Sequence, residues 1–343
     1  MSRTGGGGAL RIATHSGTFH ADEALACFML RRLPKFKSAA VTRTRDPQVL
    51  SECDVVVDVG SVYDHAAMRY DHHQRGFSEC FGHGFGTKLS SAGLIYKHYG
   101  KELIAVETGR AEASDEVALL YTQLYKNFVE SIDAIDNGID QFEAVVADDD
   151  ARDAKRARLV MRYVNSTTLS SRIGNMNAAW NEDASGAVQD ARFQQASEIA
   201  GSELLSKLSY LSDSWLPARA IVAAAFAERG SVHPSGKVMT LTRFAPWKEH
   251  LFDLEAEAKM EGFVLYVLYQ DDRELKWRVA CVPKELSAFG DRRSLPEPWR
   301  GLRGEALDAA AGIKGCTFVH AGGFTGGHET YDGALQMAAK ALE

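Results

Sequence analysis

The sequence predicts an α/β protein in two parts, an N-terminal domain with a parallel sheet flanked by helices and a smaller C-terminal α/β domain. Short β-branched segments alternate with helical segments over the first 140 residues, as they do in parallel sheets. The 343 residues are enough for two domains, each with its own core. The pattern changes near residue 212, so we assign residues 1–212 and 213–343 to the two domains, with a substrate cleft between them.

The elements of the N-terminal domain follow from composition and spacing. Three short apolar segments resemble buried parallel strands: LRIAT (10–14), AAVTRT (39–44) and DVVVDVG (54–60). ADEALACFMLRRL (21–33) has the spacing of an amphipathic helix, and SSAGLIYKHYG (90–100) begins with a Ser cap and ends in Gly. A longer helical stretch covers roughly 110–210. Because strands alternate with helices, ligands are expected at the carboxyl ends of the strands.

The C-terminal domain contains three strand-like segments, KVMTLTRF (237–244), GFVLYVLYQ (262–270) and WRVACVP (277–283). A loop broken by Pro and Gly follows at 290–304. The last segment, 320–343, places four glycines directly before a helix: Gly322, Gly323, Gly326 and Gly327. The helix N-terminus would hold a phosphate or a 3′-terminal nucleotide, with His328 as a further contact. The alternative is a tight turn before the last helix.

Whole-chain properties limit the partners and the compartment. The net charge of −7 means that a nucleic acid would need a local basic groove or bound metal ions to offset the field of the protein. The five scattered cysteines form no CxxC pair, which favours a reducing compartment without disulfides. We find no membrane span and no clear targeting segment, so a cytoplasmic location is expected, with the nucleus or mitochondrion also open. The oligomeric state is left open.

Histidines and aspartates cluster after the predicted strands. The candidates lie in four separate segments: His15, His20 and Asp22; Asp58; Asp71, His72 and His73; and Asp136. Mixed imidazole and carboxylate ligands suit Mn²⁺, with Mg²⁺, Co²⁺ or Zn²⁺ as alternatives. These groups exceed the needs of one ion, so the pattern predicts two ions about 3.5–4 Å apart that share a carboxylate. Each residue alone is better explained as a cap or a turn residue, so the prediction depends on the joint pattern.

Several of these strings resemble a known family. DVVVDVG, followed by DHH thirteen residues after Asp58, resembles the DHH phosphoesterase superfamily, which includes single-strand exonucleases, oligoribonucleases and manganese pyrophosphatases. More narrowly, seven strings resemble the MYG1 family: THSGTFHADEALA, YDHHQRGF, KLSSAGLIY, AIDNGI, PWKEHL, LPEPWRGLRG and FVHAGGFTGG. The similarity runs from about residue 10 to the C-terminus.

The resemblance implies metal ligands that agree with the pattern. The superfamily has HxxxDxD in its first segment, and here His15 and Asp22 match while His20 stands one position beyond the first aspartate. Glu23 is an alternative acidic partner for Asp22. Asp58 matches the bridging aspartate. His72 matches the histidine ligand of the second ion, and Asp136 matches the fourth-segment aspartate, with Asp133 as the runner-up.

The resemblance also implies catalytic and substrate-binding roles. Asp71 would orient the ring of His72 and fix its tautomer, and His73 would donate to a phosphate oxygen or protonate the leaving group. The glycines and His328 of the C-terminal domain resemble the substrate loop of the DHH-associated domain. Apart from the resemblance, Arg172, Arg278 and Arg303 are candidates for phosphate contacts. For Trp247 and Trp299 we expect burial in a core or an interface, with base stacking as the alternative.

The function implied is metal-dependent hydrolysis of phosphodiesters by a 3′→5′ exonuclease that acts on RNA or short single strands. One alternative keeps the metal ions and changes the substrate to a small phosphate, such as pyrophosphate or a dinucleotide. The other alternative is a non-catalytic, metal-stabilised protein that binds RNA.

Overall fold

The computed structural model describes residues 9–142, 165–182, 184–286 and 290–343. The chain forms two compact units, Met1–Ser212 and Asp213–Glu343. Part of the helical stretch predicted at 110–210 lies outside the described residues, at 143–164. No helix within the described ranges combines the length and the apolarity that crossing a membrane requires.

The first unit contains a mixed, largely parallel sheet. Its strands are β1 (Arg11–Thr14), β2 (Ala40–Arg43), β3 (Val55–Val57), β4 (Tyr63–Asp64) and β5 (Arg69–Tyr70), and a separate hairpin consists of β6 (Cys80–Gly82) and β7 (Phe85–Lys88). The strand order is β2-β1-β3-β5-β4, and only the β4–β5 pairing is antiparallel. The sequence predicted the parallel part, and the antiparallel edge strand is too short to leave a pattern.

Helices surround this sheet. They are α1 (Ala21–Arg32), α2 (Pro47–Glu52), α3 (Ser91–Thr108), α4 (Asp115–Leu124), α5 (Glu130–Asp136), α6 (Leu169–Gly174) and α7 (Gly186–Tyr210). Helix α1 is buried along most of its length because α3 and α7 both pack on it, so the prediction of a single apolar face is wrong. A Cβ added at Gly201 of α7 would lie 2.2 Å from the ring of Phe28, which shows how closely α7 approaches α1.

Helix α3 is longer than its sequence pattern predicts. The predicted end, Gly100, lies inside the helix, where a Cβ would be 2.8 Å from the ring of Tyr121. The helix ends instead at Gly109, whose φ of +70° is the left-handed conformation of a helix C-cap. Gly100 therefore serves close helix packing, and Gly109 is the residue that ends α3.

The second unit contains a five-stranded sheet with helices on both faces. Its elements are α8 (Leu216–Val232), β8 (Val238–Thr240), α9 (Lys248–Glu257), β9 (Tyr266–Gln270), β10 (Trp277–Cys281), α10 (Gly304–Ala311), β11 (Cys316–Val319), β12 (Thr325–His328) and α11 (Tyr331–Leu342). The order is β11-β12-β10-β9-β8, with only β8 and β9 parallel. One core packs α10 and α11 on the sheet, and a second packs α8 and α9. Trp299 and Trp247 are buried in these two cores, which confirms the expected burial and contradicts the alternative of base stacking.

Candidate metal centre

Three adjacent parallel strands end at the same edge of the first sheet. His15 directly follows β1, Asp58 directly follows β3, and the Asp71–His73 triplet directly follows β5. The first turn of α1 and the last residue of α5 add further polar side chains to this edge: Asp22, Glu23 and Asp136. The parallel pairing therefore explains why residues distant in the sequence meet here.

Asp58 is the central residue of the cluster. Its Oδ2 lies 3.4 Å from His15 Nε2, and its Oδ1 lies 3.4 Å from His72 Nε2 and 3.3 Å from His73 Nδ1. The hydroxyl of Ser91 donates to Oδ1 at 3.0 Å. The backbone of Asp58 is left-handed, with φ of +58°, a rare conformation that aspartate tolerates better than most residues. The two carboxylate oxygens of Asp58 thus face histidines on opposite sides, as a bridging ligand requires.

The charges in the cluster depend strongly on one another. Burial raises the pKa of Asp58, but hydrogen bonds from three surrounding imidazoles outweigh burial and hold this pKa well below its usual range. Burial lowers the pKa of His15, but contacts with Asp58 and Glu23 raise it to about 10. The pKa of His72 rises to about 9 because Asp136 and Asp58 outweigh its burial. In the metal-free protein at pH 7, protons thus occupy the rings of His15 and His72.

Asp22 gives the clearest sign that the residues fit a cation. Its side chain is fully buried, and neither carboxylate oxygen has a hydrogen-bond partner within the described part of the chain. Burial, followed by the negative charges of Asp58, Glu23 and Asp136, raises its pKa well above the ordinary value. A buried carboxylate without a partner is costly, and a bound divalent ion would remove that cost.

The cluster contains overlapping groups of possible ligands. Within each group the ligand atoms lie within 4.8 Å of one another, and the four groups are His15–His20–Glu23, Asp58–His72–His73, His20–Asp22–Asp136 and Asp22–Glu23–Asp58. The shared members join the groups into one site. All six residues predicted as ligands lie in this site, and their role as ligands stays a prediction.

The pairing predicted within the DHH triplet is wrong. Asp71 Oδ1 lies 2.9 Å from His73 Nδ1 and accepts from the His73 backbone N–H, while Asp71 Oδ2 accepts from Ser61 N at 2.6 Å. Asp71 therefore orients His73. The ring of His72 instead lies between Asp136, 2.9 Å from Nε2, and Asn137, 3.2 Å from Nδ1.

Two residues of the cluster, Asn137 and Glu23, were not among the six ligands predicted from the sequence. The amide of Asn137 donates to the carbonyl oxygens of Lys88 and Asp133, which leaves its Oδ1 directed at His72. Glu23 Oε1 lies 2.9 Å from His15 Nε2, and the carboxylate of Glu23 also accepts from the His20 backbone N–H. The strings AIDNGI and HADEALA could have pointed to both residues, since Asn137 follows Asp136 and Glu23 follows Asp22.

Asp133 is held by protein donors, so the structure favours Asp136 as the carboxylate at the cluster. Its Oδ1 accepts from Ser90 N at 2.9 Å, Ser90 Oγ at 2.7 Å and Gly93 N at 3.0 Å, and its Oδ2 accepts from Tyr125 Oη at 2.9 Å. Burial raises the pKa of Asp133 to about 7 despite these hydrogen bonds. Asp133 thus anchors the first turn of α3 to α5.

The predicted glycine loop of the second unit has a different structure. Gly322 and Gly323 lie in the turn between β11 and β12, whereas Gly326 and Gly327 belong to strand β12. The prediction of one loop leading straight into a helix is wrong because β12 pairs with both β10 and β11. His328 is buried, and its Nε2 contacts the Lys314 carbonyl oxygen at 2.9 Å. A role of these residues in substrate binding stays a prediction.

Two of the arginines predicted to contact phosphate lie together in the second unit. Arg278 and Arg303, with Lys276 and Thr317, line a cavity of about 350 Å³. The guanidinium groups of Arg278 and Arg303 lie 5.1 and 5.7 Å from the ring centre of Phe318. The buried Thr317 hydroxyl has no hydrogen-bond partner among the described residues. The third arginine, Arg172, pairs with Glu203 on the surface of the first unit.

The sheet edge and its converging ligands define an α/β protein with a candidate divalent-metal centre. A family model described as MYG1_exonuc, uncharacterised protein family (UPF0160), matches residues 11–342. MYG1 exonuclease of Homo sapiens is 48% identical over 338 residues, covering 97% of this chain and 85% of that protein. The MYG1 protein of Dictyostelium discoideum is 42% identical over 334 residues, covering 97% of this chain and 96% of that protein. The chain belongs to the MYG1 family and is an enzyme, as its motifs predicted.

A solved structure of exonuclease RecJ bound to manganese also aligns with the chain. The alignment covers 98% of this chain and 92% of the RecJ chain, with 12% sequence identity and a TM-score of 0.23. Because this TM-score is low, the family assignment depends on the sequence relatives and not on the RecJ structure.

The raised histidine pKa values predict that metal binding releases protons. His15 and His72 are protonated at pH 7 in the metal-free protein, because their pKa values are about 10 and about 9. A divalent ion binds the unprotonated ring, so affinity should rise with pH and proton release should approach zero above pH 10. Calorimetric titration with Mn²⁺ at pH 7, in two buffers of different ionisation enthalpy, measures the release. The control variant His233→Gln, which changes a histidine of the second unit, should release as many protons as the wild type. Equal heats for the wild type in both buffers would contradict the prediction.

Proposed function

We propose that this enzyme is a divalent-metal-dependent phosphodiester hydrolase, a 3′→5′ exonuclease that acts on RNA or short single strands, with two Mn²⁺ ions as cofactors. The main support is the buried carboxylate of Asp22, which has no hydrogen-bond partner among the described residues and lies beside Asp58, whose two oxygens face different histidines. Relatives named MYG1 exonuclease add support from the family. When bound, the ions would supply positive charge to the phosphate and lower the pKa of the attacking water.

Asp58 and His73 have distinct tasks in this proposal. Asp58 would hold both halves of the site together, because each of its oxygens already faces a different histidine. His73 has its Nδ1 held by Asp71, and its side chain is 61% exposed, which leaves Nε2 free to meet the substrate. Its contact with Asp58 raises the pKa of His73, so the ring would carry a proton to donate to a phosphate oxygen or to the leaving 3′-oxygen.

The second unit would bind the phosphate backbone of the substrate. A Cβ at Gly327 would lie 2.5 Å from Thr317 Oγ1 and 3.3 Å from an Arg278 guanidinium nitrogen, so the glycine leaves room beside the arginine. Guanidinium groups bind phosphate oxygens in pairs, and a buried hydroxyl without a partner is a further donor. These contacts support the substrate role predicted for the glycine-rich segment.

The test is digestion of a single-stranded RNA labelled at its 5′ end, with Mn²⁺ present. A ladder that shortens by one nucleotide at a time from the 3′ end is expected. The same RNA with a blocked 3′ end is the matched control and should persist. Phosphate release from pyrophosphate without any RNA ladder would favour the small-phosphate hydrolase, and RNA binding without cleavage of either substrate would favour the non-catalytic binder.

A further inference from the structure

A cavity of about 440 Å³ opens directly beside the candidate metal centre, within the first unit. Four residues of the centre, His20, Asp22, His73 and Asp136, form part of its lining. The remaining wall includes apolar side chains of α5 and small residues of α6: Ile132, Ile135, Ser170, Ser171 and Gly174. The volume is at the lower end of the range of about 300–1,000 Å³ for small-ligand pockets, so the cavity suits one small group at a time.

Helix α5 joins this cavity to the metal centre. Ile132, Ile135 and Asp136 are spaced by three and four residues, so they share one face of the helix. Ile135 is 51% exposed, and its free apolar surface is part of the cavity wall. A group that packs on Ile135 would therefore lie next to the carboxylate of Asp136.

Helix α6 is fixed to the turn before α1 by a side chain that follows α6 in the sequence. The amide oxygen of Asn177 accepts from Phe19 N at 2.9 Å, and its amide nitrogen donates to the carbonyl oxygens of Phe19 at 2.9 Å and Gly174 at 3.1 Å. Phe19 directly precedes His20, a residue of the metal centre. The wall formed by α6 is thus tied to the same turn that bears a candidate ligand.

The side chains of the cavity wall indicate which kind of ligand fits. Among the described residues that line the cavity there is no lysine or arginine, so apart from the ring of His73 at the centre they offer no positive charge to a second phosphate group. The apolar surface of Ile135 and the hydroxyl of Ser170 suit a neutral group with a flat apolar part and hydroxyls, which describes a nucleoside. A pyrophosphate would leave the apolar side of this cavity unused.

We propose that this cavity is the subsite for the nucleoside of the nucleotide being removed, with Ile135 against the base and α6 against the sugar. The inference depends on the proposed exonuclease function and specifies how that site selects a nucleotide over a small phosphate. Gly174 would be a specificity-determining position, because its missing side chain leaves space for the nucleoside. A Cβ at Gly174 meets no atom of the described part of the chain within 4 Å, so a larger residue should fill the cavity without disturbing the fold.

The test compares Gly174→Leu with wild type on two substrates in Mn²⁺, single-stranded RNA and methyl p-nitrophenyl phosphate. The latter has the phosphodiester but no nucleoside. We expect kcat/KM on RNA to fall by at least about 10-fold more than kcat/KM on the small ester. Ile135→Ala should raise KM for RNA by about 10-fold, whereas Ile139→Ala should not, because Ile139 is similarly exposed, at 44%, but does not line the cavity.

An inhibition measurement gives a second readout that does not use RNA. Adenosine monophosphate should inhibit hydrolysis of the small ester more strongly than inorganic phosphate does, and Gly174→Leu should remove that difference. Equal losses on both substrates, or equal behaviour of Ile135→Ala and Ile139→Ala on RNA, would overturn the subsite while exonuclease activity of the wild type stands. A wild type that cleaves the ester but shortens no RNA would overturn the proposed function and the subsite together.

Discussion

Replacing Asp58 with Asn is expected to lower kcat for RNA hydrolysis by roughly 10³-fold or more while leaving the fold intact. Asp58 places one oxygen toward His15 and the other toward His72 and His73. An amide has one oxygen and no charge, so it cannot serve both sides of the centre or offset the charge of two ions. Asparagine tolerates the left-handed backbone at this position, where φ is +58°, so a structural loss is not expected.

The measurement combines the RNA digestion assay with circular dichroism and metal analysis of the purified protein. Asp272→Asn is a matched control, because Asp272 is exposed in the second unit and far along the chain from the centre. Asp58→Asn should bind fewer metal ions than Asp272→Asn and keep its helical signal. A folded Asp58→Asn variant with turnover close to that of wild type would show that the reaction does not use this centre.

Much of the position of the centre could be predicted from the strands. His15 and Asp58 come directly after short apolar strands, and parallel neighbours place such residues at one edge. The strand before the DHH triplet, Arg69–Tyr70, is too short to leave a pattern, so His72 was predicted from the motif. The partner of each side chain could not be predicted in the same way. Asp71 and His72 are adjacent in sequence, yet Asp71 contacts Ser61 and His73, because the turn before β4 supplies a backbone N–H at the right distance.

The other features that the sequence did not predict correctly have a common physical cause, which is packing between residues distant in the sequence. Gly326 and Gly327 have the composition of a loop, but pairing with two neighbouring strands makes them part of β12. The contact between Asn177 and Phe19 joins residues that are 158 positions apart, and no local pattern marks either partner. Part of the wall of the cavity beside the candidate metal centre comes from α6, which this contact holds, so the cavity could not be predicted from the sequence.

Replacing Asp133 with Ala is expected to lower the free energy of unfolding of the first unit by about 3–5 kcal/mol. The change would leave the donors of Ser90, Gly93 and Tyr125 without an acceptor in a buried environment. Each buried donor without a partner costs about 1–3 kcal/mol. Urea unfolding followed by fluorescence or circular dichroism measures the effect, with the midpoint compared at constant slope.

Asp136→Ala is the matched comparison, three residues along the same helix. Its side chain is partly exposed and contacts His72, so the change should weaken Mn²⁺ binding while moving the unfolding midpoint little. Loss of a residue that only hydrogen-bonds to a metal ligand lowers metal affinity by roughly 10–100-fold. Loss of Asp136, a proposed ligand, should lower the affinity for Mn²⁺ by at least that factor. Gly93→Ala tests the Asp133 anchor from the other side, because the added Cβ would lie 2.3 Å from the Asp133 carboxylate and displace it. The opposite result would be weaker Mn²⁺ binding with unchanged stability in Asp133→Ala, and lower stability with unchanged Mn²⁺ binding in Asp136→Ala. It would make Asp133 the metal ligand and Asp136 the structural anchor.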